Sequence, residues 1–115
     1  MELKDSVTKE NLLRAFAGES QARNRYTFSA SLARKKGLHV IEAVFLYTAD
    51  QEKEHAEIFY DHLKKAGCEN VTITGANYPV DLAEDPAEML ELARNHEMDE
   101  FGDVYPAFAD KAEEE

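Results

Sequence analysis

Ala49-Asp50-Gln51-Glu52-Lys53-Glu54-His55 is the stretch whose reading decides the fold. It lies inside a long run of helix-favouring residues, so Glu52 and His55, three apart, share one helix face one turn from each other. Stepping back from Glu52 by threes and fours gives Thr48, Phe45 and Ile41; stepping forward from His55 gives Phe59 and Leu63. A carboxylate and an imidazole therefore interrupt an apolar, core-facing stripe. An isolated buried carboxylate is costly unless it is paired or bound to metal. The rest of the chain must supply whatever faces it.

The helix carrying this pair runs from about Leu38 to Ala66, where Gly67 stops it. A first helix starts near Ser6 or Thr8, either of which can cap it, and ends by Gly37. Its buried face reads Leu12, Phe16, Glu19, Ala22 or Arg23, Tyr26, Ala30 and Ala33. Arg34, Lys35 and Lys36 close it where cations suit the helix dipole. Two long helices joined by a short turn form an antiparallel hairpin, here about 9–66. Glu19 lies 18 residues before Gly37 and Glu52 lies 15 after it. At ~1.5 Å of rise per residue their heights differ by less than a turn, so Glu19, Glu52 and His55 converge.

A connection of about 68–84 comes next. Val71-Thr72-Ile73-Thr74 has local β preference but no evident partner strand, and Cys68 reads as an incidental thiol after the helix stop. The third helix, about 86–115, opens with Asp85 as cap, Pro86 at the first helical position and Glu88 completing a capping box. Its core face reads Leu90, Ala93, Glu97, Glu100 or Phe101, Val104, Phe108 and Ala112. Pro106 removes the helical hydrogen bond to the Gly102 carbonyl, which predicts a bend nearby. The chain reaches Glu113-Glu114-Glu115 without a stop signal and with acids unfavourably placed for a helix C-terminus, so residues 1–115 read as a single, incomplete domain.

Composition narrows the function. Thirteen basic against 24 acidic residues give a formal charge of -11, which argues against nucleic acid and against an anionic membrane surface. The single cysteine excludes an internal disulfide and a four-cysteine metal site, and makes a reducing cytoplasm the default. No signal-peptide pattern and no membrane-length apolar run are present in the sequence. The absence of Trp, with three Pro and five Gly, favours long helices over a strand-and-turn fold.

The inward polar groups are Glu19, Glu52, His55, Glu97 and Glu100, with Tyr26 and Tyr105 nearby. A Glu and a His three apart arise by chance on any acidic helix, and a core tyrosine needs no special role. Together the set is different, because four carboxylates at matching heights repel unless a multivalent cation sits among them. Carboxylates with imidazole suit iron or manganese, and inward Glu with Glu-x-x-His pairs in a helical bundle is the di-iron or di-manganese arrangement.

The chain resembles the ferritin-like di-iron domain of the rubrerythrin family. The likeness rests on Ala15-Phe-Ala-Gly-Glu-Ser-Gln-Ala-Arg-Asn-Arg-Tyr26, on Glu52-Lys-Glu-His55, and on Glu97-x-x-Glu100 followed by Tyr105-Pro106, and it covers essentially the whole length. It implies an all-α, ferritin-like up-down helical bundle. It implies that Glu19, Glu52, His55, Glu97 and Glu100 hold two iron ions, with manganese or zinc as alternatives, and that Glu52 bridges them. Tyr26 and Tyr105 would support those ligands. Two features depart from the family: a fourth helix with a second Glu-x-x-His is absent, and one cysteine cannot build the rubredoxin-like iron site.

The resemblance implies a di-iron peroxidase that reduces hydrogen peroxide with electrons from an external donor such as a rubredoxin-like protein. A ferroxidase or iron-handling protein, oxidising Fe(II) with peroxide or oxygen, is the second reading. A non-enzymatic helical fragment whose polar stripe is an assembly seam is the third. Three amphipathic helices leave a groove where a fourth belongs, so a stable monomer is not expected: either a continuation or separate segment supplies the fourth helix, with exchange between chains in a dimer, or hairpin 9–66 pairs with its own copy, and a homo-oligomer is the expected form. The match of Glu97 and Glu100 to the family pattern favours the former.

Overall fold

The computed structural model describes residues 2–75, 80 and 82–115. Part of the connection expected at 68–84, residues 76–79 and 81, lies outside the described residues. A short 3-10 turn (Leu3–Asp5) leads into helix α1 (Val7–Lys35), then α2 (His39–Lys65), α3 (Pro86–Asp99) and α4 (Tyr105–Glu114). A π-helical turn, Glu100–Val104, links α3 to α4 without a break, so these form one long third helix. The fold is all-α, as the sequence predicts, and no strand forms at Val71–Thr74.

Each end of the hairpin has a local cause. Ser6 caps α1, its hydroxyl accepting from the Lys9 amide. Helix α1 stops where Gly37 takes φ 73°, with Gly37 N–H donating to the Arg34 carbonyl and Leu38 N–H to that of Ala33. Gly67 (φ 77°) repeats the device after α2, through bonds to Lys64 and from Cys68 to Leu63. Both are left-handed stops, which only a residue without Cβ adopts cheaply. Asp85 caps α3 by accepting from the Ala87 amide, with Pro86 behind it.

α1 is the central element. It packs antiparallel on α2 and also along the third helix, so it is buried over a broad arc: Ala15, Gly18, Ala22, Arg25, Ser29 and Ala33 as well as Glu19, Tyr26 and Ala30. The face that periodicity predicts is narrower. Leu12, Phe16 and Arg23 are only half-buried, and Arg25 takes the interior position, its Nε donating to Gln21 at 3.0 Å and its guanidinium standing over the Tyr26 ring. The core joins Ala22, Tyr26 and Ala30 of α1 to Phe45 and Ala49 of α2 and Met89 of α3. Met89 near the start of α3 packs against Tyr26 and Ala30 in the second half of α1, while Glu115 reaches Val7 and Thr8 at its start, so α3 and α4 lie parallel to α2. Arg14 anchors the segment after α2 by donating to the Thr74 carbonyl.

The third helix ends against the start of α1. The Glu115 carboxylate accepts from the Val7 and Thr8 amides and from the Thr8 hydroxyl, satisfying donors that the first turn of a helix leaves unpaired. The acids at this end, unfavourable for their own helix, thus find a positive helix terminus elsewhere. The Thr8 hydroxyl and the two amides hold the Glu115 pKa below its ordinary value. A lowered acid stabilises the fold above its unfolded pKa and loses that contribution as pH falls through the folded one. Glu115→Ala is therefore expected to speed amide exchange in the last turn of α4 and the first turn of α1, and to remove the acid dependence of that exchange. Unchanged exchange at both ends would show the contact to be idle.

Candidate metal centre

Glu19, Glu52 and His55 meet at mid-height of the hairpin. One donor atom from each lies within 4.8 Å of the others. His55 Nδ1 stands 3.6 Å from Glu19 Oε2 and 4.0 Å from Glu52 Oε1. Both carboxylates are buried while His55 is half-exposed, so the cluster sits at the edge of the core. Small neighbours make room for it: Ala15, Gly18 and Ala22 on α1, Ala49 and Ala56 on α2, all buried.

Two tyrosines brace the carboxylates across helices. Tyr105 O–H donates to Glu19 Oε1 at 2.5 Å. Tyr26 O–H points to Glu97 Oε1 at 3.5 Å. The π turn makes the first contact possible. Pro106 lacks an N–H and crowds the carbonyl four residues back; the chain widens, and Tyr105 N–H bonds to the Glu100 carbonyl, five residues back. The extra residue in that turn rotates the rest of the helix about its axis and carries Tyr105 onto Glu19. The bend expected at Pro106 is thus a widened turn.

Glu97 and Glu100 stand apart from the three-residue cluster. Glu97 is exposed and Glu100 half-buried, whereas the sequence pattern turns both inward. Their fields still reach the site. Burial raises the Glu100 pKa from 4.5 to about 7, with Glu97 and Glu19 adding repulsion and Arg25 opposing it. Burial also raises Glu19, against the Tyr105 hydrogen bond and His55. Tyr26 is pushed up by burial and by Glu97, so it stays a phenol.

Whether a metal suits these residues can be judged from Glu19. Its Oε2 is buried and has no hydrogen-bond partner among the described residues. A buried, unsatisfied carboxylate oxygen costs free energy, and a cation held by Glu19, Glu52 and His55 would satisfy it. Two carboxylate oxygens and one imidazole nitrogen form a donor set suited to iron, manganese or zinc. A cleft of about 240 Å³, lined by Glu19, His55, Ile58, Phe59 and Tyr105, gives access from solvent.

Raised acids have a measurable consequence. An acid whose pKa rises on folding stabilises the fold below its unfolded value and loses that contribution as pH climbs through the folded value. For metal-free protein the thermal midpoint should therefore fall as pH rises from 4.5 to about 7. Glu100→Gln should flatten part of that slope, Glu19 retaining the rest. Bound metal should reverse the trend, because ligands bind deprotonated. Identical slopes in the two metal-free proteins would contradict the account.

An all-α bundle with a carboxylate–imidazole cluster at mid-height of its hairpin, braced by tyrosines, is a ferritin-like domain with a candidate metal centre. The chain belongs to the rubrerythrin family: the family model described as Rubrerythrin matches residues 10–115. It is 50% identical over 113 residues to a rubrerythrin of Porphyromonas gingivalis, covering 98% of this chain and 54% of that protein. A rubrerythrin of Clostridium perfringens is 48% identical, covering 98% of this chain and 58% of its own length. Nigerythrin of Nitratidesulfovibrio vulgaris is 37% identical over 111 residues. The chain spans about half the length of the curated relatives it matches. No helix among the described residues is long and apolar enough to cross a membrane.

Proposed function

We propose that this chain provides the metal-binding core of a di-iron oxidoreductase that reduces hydrogen peroxide. The observation that carries the reading is the convergence of Glu19, Glu52 and His55, with one buried carboxylate oxygen lacking a hydrogen-bond partner among the described residues. Family membership supports it. Glu19, Glu52 and His55 would hold one ion, Glu52 would be shared with a second, and Glu97 and Glu100 would complete the second ion's shell after a local movement of the third helix at its π turn.

Two ferrous ions held by these residues would supply the two electrons that, with two protons, take hydrogen peroxide to two waters. The residues of this chain do the remaining work. Tyr105 holds Glu19 in place through its hydroxyl, and Tyr26 does the same for Glu97. Phe59 and Ile58 form the apolar side of the cleft beside His55. An external reductant would restore the electrons.

A further helix is part of the proposal. Val40, Val44, Tyr47 and Ile58 form a second apolar stripe on α2, turned away from α1 and exposed, and Phe101 of the π turn is also exposed. His55 lies at the border of this stripe. A helix from a continuation of the chain or from a second copy would cover it and add ligands, which makes a homo-oligomer the expected form. Ferroxidase activity is the competing reading, since it uses the same ligands.

Stopped-flow oxidation of the ferrous-loaded protein separates the two. Fast oxidation by peroxide with slow reaction toward dioxygen supports the peroxidase. Multiple-turnover iron oxidation with mineral deposition supports the ferroxidase, and protein that takes up no iron excludes both.

A further inference from the structure

The third helix carries two inward faces that do not share one frame. Before the π turn, Leu90 and Ala93 pack on the core and Glu97 meets the Tyr26 hydroxyl. After it, Tyr105, Phe108 and Ala112 line one groove with Leu12 and Phe59. Each set advances by steps of three and four, but Tyr105 lies eight residues after Glu97. At about 100° per residue, a regular helix would place Tyr105 about 80° round from Glu97. A turn that absorbs one residue cuts this offset to about 20°.

Side-chain packing does little to fix where that extra residue sits. Phe101, Gly102 and Asp103 are all exposed, and a Cβ added at Gly102 would meet nothing within 4 Å. Pro106 is exposed as well, so its ring fills no core. It constrains the backbone instead. A proline ring crowds the carbonyl four residues back, here that of Gly102, and a widened turn just ahead of the ring relieves the crowding. Elsewhere on the helix the widened turn and the proline would be two separate distortions.

We infer that Pro106 is a positioning residue for the metal centre: it holds the widened turn on the N-terminal side of Tyr105 and so keeps the Tyr105 hydroxyl on Glu19. The bond kept in this way runs from Tyr105 O–H to Glu19 Oε1 at 2.5 Å. With alanine at position 106 the crowding is gone, and the extra residue is free to pass beyond Tyr105. That shift turns Tyr105 by about 100°, off Glu19, while Phe108 and Ala112 keep their places. The effect on Tyr105 stands on the helix geometry alone. The effect on metal rests on the reading of Glu19, Glu52 and His55 as ligands.

Metal-free protein labelled with carbon-13 at the tyrosine Cζ reads the first effect by NMR. The Tyr105 signal, assigned by its loss in Tyr105→Phe, should move in Pro106→Ala toward that of exposed Tyr47, while the Tyr26 signal stays. An unmoved Tyr105 signal would overturn the inference. Zinc affinity, measured by competition with a chromophoric chelator, reads the second. Tyr105→Phe should bind zinc ~10–100-fold more weakly, the range for loss of an outer partner. Pro106→Ala should lose affinity too, by no more than Tyr105→Phe does. In the double variant Pro106→Ala should add nothing to Tyr105→Phe, because a residue that acts through the tyrosine has nothing left to act on. Losses that multiply, or a Pro106→Ala protein with wild-type affinity, would overturn the link to the metal centre. Wild-type protein that binds no zinc would end the metal reading, while the tyrosine signal would still decide whether Pro106 positions Tyr105.

Discussion

Glu52→Ala protein is expected to leave purification essentially without metal, while Glu97→Ala retains a measurable fraction. Glu52 is buried on α2, within 4.8 Å of donor atoms of Glu19 and His55, and on the proposed assignment it serves both ions. Losing an outer partner of a metal ligand typically costs ~10–100-fold in affinity; losing a ligand shared by two ions should exceed that range. Glu97 is exposed and would serve one ion. The fold should survive, because the substitution removes a buried charge and no apolar packing. Equal metal content in the two variants would refute the sharing of Glu52.

The largest effect on stability should come from Phe45→Ala. Phe45 is almost fully buried, packs on Tyr26 with ring centroids 5.9 Å apart, and joins α2 to the core shared with α1 and Met89. Deleting a buried Phe side chain costs about 3–5 kcal/mol. That is a large share of the ~5–15 kcal/mol that holds a typical domain together, and here one apolar face of α2 is exposed. Equilibrium denaturation in urea should show a much lower midpoint, or no folded baseline. A loss below about 1 kcal/mol, the size of an ordinary substitution, would mean that the hairpin does not depend on this contact.

The hairpin and its polar centre are legible in the sequence because each rests on local rules. Gly37 and Gly67 mark left-handed stops, Ser6 and Asp85 are caps, and the spacing of Glu52 and His55 fixes a shared face. Equal heights on two helices joined by a short turn then bring Glu19 to them. The third helix is less legible. Pro106 announces a distortion, but nothing local says that the chain answers by widening a turn, or that this carries Tyr105 to Glu19. Glu97 and Glu100 fit the inward stripe of a straight helix, and the structure leaves Glu97 exposed. Arg25 escapes a reading by periodicity because a charged residue at that position reads as surface. Its partner Gln21 lies four residues back and is the available signal. The Glu115 contact with Val7 and Thr8 joins residues more than one hundred positions apart, beyond the reach of any periodicity.

The central claim is that Glu19, Glu52 and His55 hold a metal ion. Anomalous diffraction from crystals of protein purified without chelator and loaded anaerobically with ferrous iron tests it most directly. The account predicts an iron peak within bonding distance of Glu19, Glu52 and His55, and a second peak sharing Glu52. Crystals with no anomalous peak at these three residues, or with iron bound only elsewhere, would contradict it.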